Sequence, residues 1–259
     1  MRSNEQKSDG LFEFLTPLSR MKEWFFLAIL IFAASLYSNN QEYTLTKEEE
    51  ETVEFVNWCI TQAEQHESKL NQDVLGIEGM SSAKGRHFLN NLCSRPNTHL
   101  LEIGCWKGST LIASLFHNDM THAVAIDNWC QVGRAASIEF HENCTRFLHP
   151  NQLNYQDVDC FEINPKDICT TPVNVYFYDG RHDIEDQTRA FVHYNDVFDD
   201  LFIAVVDDWN FSSVHDGTHI AFEKLKYQVL FERAMPGNRC DDTENWWNGM
   251  YIALVRKPR

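Results

Sequence analysis

Leu100-Leu101-Glu102-Ile103-Gly104-Cys105-Trp106-Lys107-Gly108-Ser109-Thr110 reads as a buried strand, a glycine turn and the first turn of a helix. Leu100 to Ile103 make the short apolar run of a parallel-sheet strand. Gly104 and Gly108 permit a sharp turn and a close approach of backbone to a ligand. Ser109 and Thr110 suit the start of the helix that Leu111 to Phe116 continue. A helix start beside a glycine turn offers free N–H groups to a ligand's polar end. Glu102, at the carboxyl end of the strand, suits a cationic group or a sugar hydroxyl. Two nucleotide motifs are excluded: Gly-x-Gly-x-x-Gly is absent, and Lys107 precedes Gly108 instead of following it as in a P-loop. Alone, the stretch is equally an ordinary strand-to-helix turn, so the rest of the chain decides its meaning.

That chain has 259 residues, 43% of them hydrophobic and 13% aromatic, enough for one α/β domain and an extension. Its formal net charge of −16 would repel phosphates, which argues against nucleic acid as a partner and for a small molecule or a cation. None of the cysteines has Cys-x-x-Cys spacing, so neither a zinc site nor a thioredoxin-type motif is supported. Several sit in apolar contexts and read as buried free thiols.

Residues 1–45 read as a polar tail followed by an apolar helix, Trp24 to Tyr37, with Arg20 and Lys22 before it and Asn39 and Asn40 after it. The run is shorter than the roughly 20 residues of a full membrane span. Three readings stay open. It is a signal anchor, giving a membrane-associated, single-pass protein with membrane contact through residues 22–38. It is a signal peptide, if Met21 is the true start. Or it is a packing helix on a cytoplasmic protein. Its apolar character on all faces favours the membrane.

Residues 46–97 read as a helical cap. Glu42 to Glu51 looks like an acidic linker, Val53 to Leu70 has helical periodicity, and a second helix is expected from Ser82 to Leu92, before Arg95-Pro96. From residue 98 to 259 strands and helices alternate, the pattern of a doubly wound sheet. The expected strands are 99–103, 123–126, 153–158, 173–178, 201–206, 229–232 and 250–255, with helices at 108–116, 135–148, 184–194 and 218–226.

In open parallel sheets, ligands bind at the carboxyl ends of the strands. Here acids stand at or just past successive strand ends: Glu102, Asp127, Asp159, Asp179, and Asp207 with Asp208. A ring of carboxylates on one edge is costly without a cationic ligand or a metal. Asp127 stands where nucleotide-binding α/β domains place a carboxylate on ribose hydroxyls. Trp129 offers a face for adenine, with a core aromatic as the alternative, and Asp159 would edge the base. In Tyr178-Asp179-Gly180-Arg181-His182-Asp183, the glycine lets Asp179 and His182 face one cavity, and His182 suits a general base. Asp179, Asp207 and Asp208 supply three oxygen donors, a set suited to Mg²⁺. The acids capping the next segment, or binding the substrate directly, is the alternative.

Taken in order, Glu-Ile-Gly-x-x-x-Gly-Ser-Thr, Ile126-Asp127-Asn128-Trp129, Asp179-Gly180-x-His182 and Val206-Asp207-Asp208-Trp209 resemble the class I S-adenosylmethionine (SAM) methyltransferases. Within them they resemble the type 24 methyltransferase family, which is similar to the macrocin-type sugar O-methyltransferases and more remotely to catechol O-methyltransferases. The resemblance covers about residues 76–256. It implies a Rossmann-like, seven-stranded, doubly wound α/β sheet, mostly parallel with an antiparallel last strand. It implies SAM contacts from Glu102, Gly104, Gly108, Ser109 and Asp127, His182 as base, and metal ligation by Asp179, Asp207 and Asp208; Cys105, Trp106 and Thr110 of the same turn are further cofactor-binding candidates, and Asp179 a further catalytic one. Catechol-type enzymes have an acid followed by Asn where this chain has Asp207-Asp208, which bears on the metal. The acceptor would be a small molecule, with a sugar or glycoside among the candidates. Trp246-Trp247 either line it or pack the last hairpin. The other function carried forward is a nucleotide-binding Rossmann-like domain without methyl transfer.

Overall fold

In a computed structural model of the chain, residues 44–119, 122–238 and 242–258 are described. The apolar run at 24–37, and with it the expected anchor or signal, lies outside the described residues. Among the described residues no helix is long and apolar enough to cross a membrane.

The first helix, α1 (Lys47–Glu64), starts and ends six residues earlier than the periodicity suggests. Thr46 caps it, and Glu49 reaches back to the Thr46 N–H at 2.7 Å, closing a capping box. Residues 47–51 of the stretch read as a linker are therefore helical, and Glu48, Glu49 and Glu50 stand in the first turn, where carboxylates favour the helix dipole. A short turn, α2 (Gln72–Leu75), precedes α3 (Ala83–Leu92), which Ser82 caps.

The alternation that follows is β1 (His99–Ile103), α4 (Ser109–Leu115), β2 (His122–Asp127), α5 (Arg134–Phe147), β3 (Leu153–Asp157) and the short α6 (Pro165–Ile168). Then come β4 (Val173–Tyr178), α7 (Ile184–Tyr194), β5 (Phe198–Asp207), α8 (Ser212–Leu225), β6 (Gln228–Met235) and β7 (Met250–Arg256). Helix α8 begins six residues before the expected Thr218 and contains Gly217, which is a packing residue. A Cβ there would lie 2.7 Å from the Cβ of Gln187, so only glycine allows α7 and α8 to cross this closely.

The sheet has the order β3-β2-β1-β4-β5-β7-β6. All strands run parallel except β7, which is antiparallel to both β5 and β6. This is the expected seven-stranded, Rossmann-like sheet. Alternate residues of each strand feed two cores. Leu100, Val175, Phe177, Val205 and Ile252 pack under α1, α3, α4 and α5 through Val56, Leu89, Leu111 and Phe140. Leu101, Tyr176, Val206 and Tyr251 pack on the other face against Phe191 of α7 and Phe222 of α8. Each large apolar side chain so buried contributes roughly 1.5–3 kcal/mol. The helices before β1 thus form part of a covering layer of the sheet. The strand order reverses between β1 and β4, which opens a crevice at their carboxyl ends.

Candidate active site

The glycine turn after β1 is fixed by contacts that the local sequence only half declares. Gly104 has φ +87°, and a Cβ on it would lie 1.8 Å from the carbonyl oxygen of Asp179. The turn therefore presses against the end of β4, and only glycine can occupy this point. Asp127 holds it from the other side. Its Oδ2 accepts from the backbone N–H groups of Cys105 and Trp106, both at 2.8 Å, and its Oδ1 accepts from Trp129 N–H at 2.7 Å. Beneath the turn, Thr110 Oγ1 donates to Glu102 Oε1 at 2.7 Å. Glu102 is fully buried, and its Oε2 has no hydrogen-bond partner. Burial pushes its carboxyl up to about 8, and the charges of Asp179 and Asp127 act in the same direction.

A cavity of about 360 Å³ opens over the carboxyl ends of β1, β2, β4 and β5. Of the residues singled out in the sequence, Gly104, Trp106, Asp127, Trp129, Asp159, Asp179, His182 and Asp208 line it. Glu102, Cys105, Gly108, Ser109, Thr110 and Asp207 stand behind that lining. Ser109 is turned towards the loop before α3, 3.4 Å from Ser81 Oγ. Trp129 does not offer an open face to a base: it is 2% exposed, packs on Phe140 with ring centroids 5.3 Å apart, and donates from Nε1 to the Trp106 carbonyl at 2.7 Å. It braces the turn as a core aromatic. Asp159 is folded back into its own turn, accepting from Phe161 N–H at 2.9 Å.

The second half of the cavity gathers titratable groups. Asp179, His182 and Asp208 each offer a ligand atom, and these atoms all lie within 4.8 Å of one another. His182 Nε2 stands 2.6 Å from Asp208 Oδ2, and Asn248 donates to Asp208 Oδ1 at 2.7 Å. The Asp208 bond raises the pKa of His182. Burial raises that of Asp179, and the charges of Asp207 and Asp208 add to the effect. The oxygen-only set Asp179, Asp207 and Asp208 is not what the structure brings together. Asp207 is 5% exposed and is still a strand residue, paired with Met250 and on the same face as Val205. Asp208 follows with φ +55°, a left-handed turn that takes its carboxylate off the sheet and into the cavity. His182 takes the place expected for Asp207.

Other lining residues carried no motif. Met80, Val132 and Phe211 are large apolar side chains left exposed at the cavity, and Phe211 stacks on His182 with centroids 5.2 Å apart. A signal existed for Phe211, which follows Asp208 by three residues. None existed for Met80 or Val132, whose positions depend on loop paths. The tryptophan pair divides its roles. Trp246 is buried, donates to Glu64 Oε1 at 2.8 Å and meets Phe88 edge-on. Trp247 lines the cavity.

No protein-family model matches the chain, and no curated protein matches it. Solved structures match its fold. A putative caffeoyl-CoA O-methyltransferase from Staphylococcus aureus aligns with a TM-score of 0.54 at 12% identity, over 78% of this chain and 99% of that one. An O-methyltransferase from Bacillus cereus in complex with SAH aligns with a TM-score of 0.51 at 13% identity, over 86% of this chain and 97% of that one. The chain spans about half (49%) of a third structure and is covered over 66% of its own length: SMU.776, a putative methyltransferase complexed with SAH, at 14% identity and a TM-score of 0.46. The fold is that of the class I methyltransferases.

Proposed function

We propose that the protein is a SAM-dependent methyltransferase acting on a hydroxyl of a small-molecule acceptor. The observation that carries this reading is one cavity joining the glycine turn and Asp127 to Asp179, His182 and Asp208. The residues on its first side suit SAM. Ile103, Ile126 and Val158 give an apolar wall for a base. The carboxylate of Asp127 suits ribose hydroxyls, and the unpartnered buried oxygen of Glu102 behind the turn suits a cationic group. Bound there, SAM supplies an electrophilic methyl group. On the other side His182 takes the proton of the acceptor hydroxyl, and Asp208 orients the imidazole and stabilises the imidazolium. Phe211 and Trp247 hold the acceptor's body. The finer assignment, to the type 24 family and its sugar-modifying relatives, rests on the ordered motifs.

The test is calorimetric titration with SAM and S-adenosylhomocysteine, followed by mass spectrometry of SAM incubations with a panel of phenols and glycosides. Micromolar binding and a methylated product support the reading. No binding of either compound sinks it. Binding without turnover of any acceptor, with the wild type and His182→Ala equally inert, favours a nucleotide-binding domain that transfers no methyl group.

The clustered donors favour a second reading of the same half-site. Asp179, His182 and Asp208 would hold a divalent cation, which lowers the pKa of a hydroxyl bound to it. An imidazole with two carboxylates suits Mn²⁺ or Zn²⁺ better than Mg²⁺. Turnover lost to a chelator and restored by one such ion selects this reading, and chelator-insensitive turnover selects the base.

A further inference from the structure

We propose that His215 and His219 form a separate cation site, which takes a borderline transition-metal ion of the Ni²⁺ or Cu²⁺ class. The two histidines lie four residues apart on α8, so they share a helix face, and both are exposed. Their ring centroids are 4.4 Å apart, with the planes at 68°. A metal-bound imidazole nitrogen lies about 2.1 Å from the ion, which puts each ring centre about 3.2 Å away. Two such nitrogens at the right angle of a square-planar or octahedral ion put the ring centres about 4.5 Å apart. The observed separation falls at that distance.

Two further features prepare these rings as ligands. His215 Nδ1 lies 3.0 Å from Asp216 Oδ1. A carboxylate on one ring nitrogen fixes the proton there and leaves the lone pair of the other nitrogen for an ion. Glu232 and Asp216 lie near the His219 ring and favour a positive charge there, which an ion between the two rings supplies. Two imidazoles completed by water select against Mg²⁺ and Ca²⁺.

The site has a floor and a reporter. Trp209 and Tyr251 stack with centroids 4.0 Å apart and planes at 10°. The Trp209 centroid lies 5.0 Å from that of His215 and 5.7 Å from that of His219. The same stretch of chain shoulders the candidate active site. Trp209 follows Asp208, Phe211 stacks on His182, and Ser213 Oγ donates to the His182 carbonyl. An ion across one turn of α8 would stiffen the segment that holds His182.

The experiment titrates Ni²⁺ and Cu²⁺ into the full, chelator-treated chain carrying Asp179→Asn and Asp208→Asn, which removes the other donor cluster. The expected result is one saturable site with quenching of tryptophan emission. Its affinity falls at least tenfold in either His215→Gln or His219→Gln, and millimolar Mg²⁺ leaves it unchanged. Trp209→Phe keeps the binding heat and loses most of the quench. Unchanged affinity in both single histidine variants overturns the proposal, as does competition by Mg²⁺. Electron paramagnetic resonance of the chain with both histidines in place, loaded with one equivalent of Cu²⁺, decides the matter even if a variant fails to fold. Coupling to two imidazole nitrogens supports the site, and coupling to one or none overturns it.

Discussion

Asp127 and Asp179 stand at the ends of the two strands that flank β1, yet their circumstances are opposite. Three backbone N–H groups converge on the carboxylate of Asp127. Asp179 feels the charges of Asp207 and Asp208 instead, and its pKa is raised by burial first and by those two charges next. A carboxylate bonded to backbone donors is settled whether or not a ligand is present. A half-buried carboxylate beside its like is settled only by a proton, a cation or a cationic ligand. One half of the cavity is thus preorganised by the fold, and the other is held in a state that its ligands would relieve. Unfavourable charge of that kind is where a reacting group is expected.

The largest expected effect breaks the reactive half alone. His182→Ala should lower turnover roughly 10²–10⁴-fold, the range for removing a positioned proton acceptor. Because His182 stands apart from the glycine turn, SAM affinity should change less than about threefold (calorimetry reads this independently of any acceptor). A loss of SAM binding as large as the loss of turnover would merge the two halves and defeat the comparison.

Breaking the preorganised half comes next. Asp127→Ala strands three N–H groups at once, each bond to a charged acceptor being worth about 1.5–3 kcal/mol at most in net terms. SAM affinity should weaken by about 10- to 100-fold, and the melting temperature should fall by several degrees, because the same carboxylate braces the turn. Asp159→Ala is the matching control. Its carboxylate serves its own turn, and its effect on affinity should stay within about threefold. Equal effects from the two changes would mean that the bonds to Cys105 and Trp106 carry no special weight.

A smaller effect tests the wall between the halves and the solvent. Trp247→Ala should raise the acceptor KM about tenfold and leave kcat within about twofold, the pattern of uniform binding lost. Trp246→Ala should instead cost stability, since that ring is buried on Phe88 and bonded to Glu64. An exchange of the two phenotypes would reverse the roles the structure gives them.

How much of this was legible beforehand follows the same division. Strand ends are readable because an apolar run closed by an acid needs only local sequence, and Glu102, Asp127, Asp179 and Asp208 all stood at or just past such ends. Which acid turns inward is not local. Asp207 and Asp208 are adjacent, and the choice between them rests on the pleat of β5 and on one left-handed residue. The burial of Trp129 depends on Phe140, a helix away. The start of α1 is legible in Thr46 and Glu49, which have capping-box spacing within a stretch whose charge also suits a linker. The need for glycine at position 217 is not local either, since it comes from the close approach of Gln187 on the neighbouring helix.

The smallest effect concerns Glu102, which lies between the two halves and feels both Asp127 and Asp179. Its carboxyl titrates near 4.5 in the unfolded chain and is pushed up to about 8 in the folded one, by burial above all. Between those values the folded protein holds a proton that the unfolded chain has lost, so stability falls as pH rises through the window. Below pH 4.5 both states are protonated and the residue costs nothing. Above pH 8 both are ionised and the cost is complete. Glu102→Gln removes the titration and keeps an oxygen for Thr110, so the variant should gain on the wild type as pH rises. The gain should reach about 1–2 kcal/mol by pH 8.5, a value discounted for relaxation around the charge and equivalent to about 2–8 °C in melting temperature. A melting-temperature difference that stays constant from pH 5 to pH 8.5 would mean that Glu102 is ionised throughout. Saturating SAM sharpens the test. If its cationic end lies against the free oxygen of Glu102, it holds that carboxylate ionised, and the wild-type pH slope should flatten in its presence. A slope unchanged by bound SAM would move the cationic end elsewhere in the cavity.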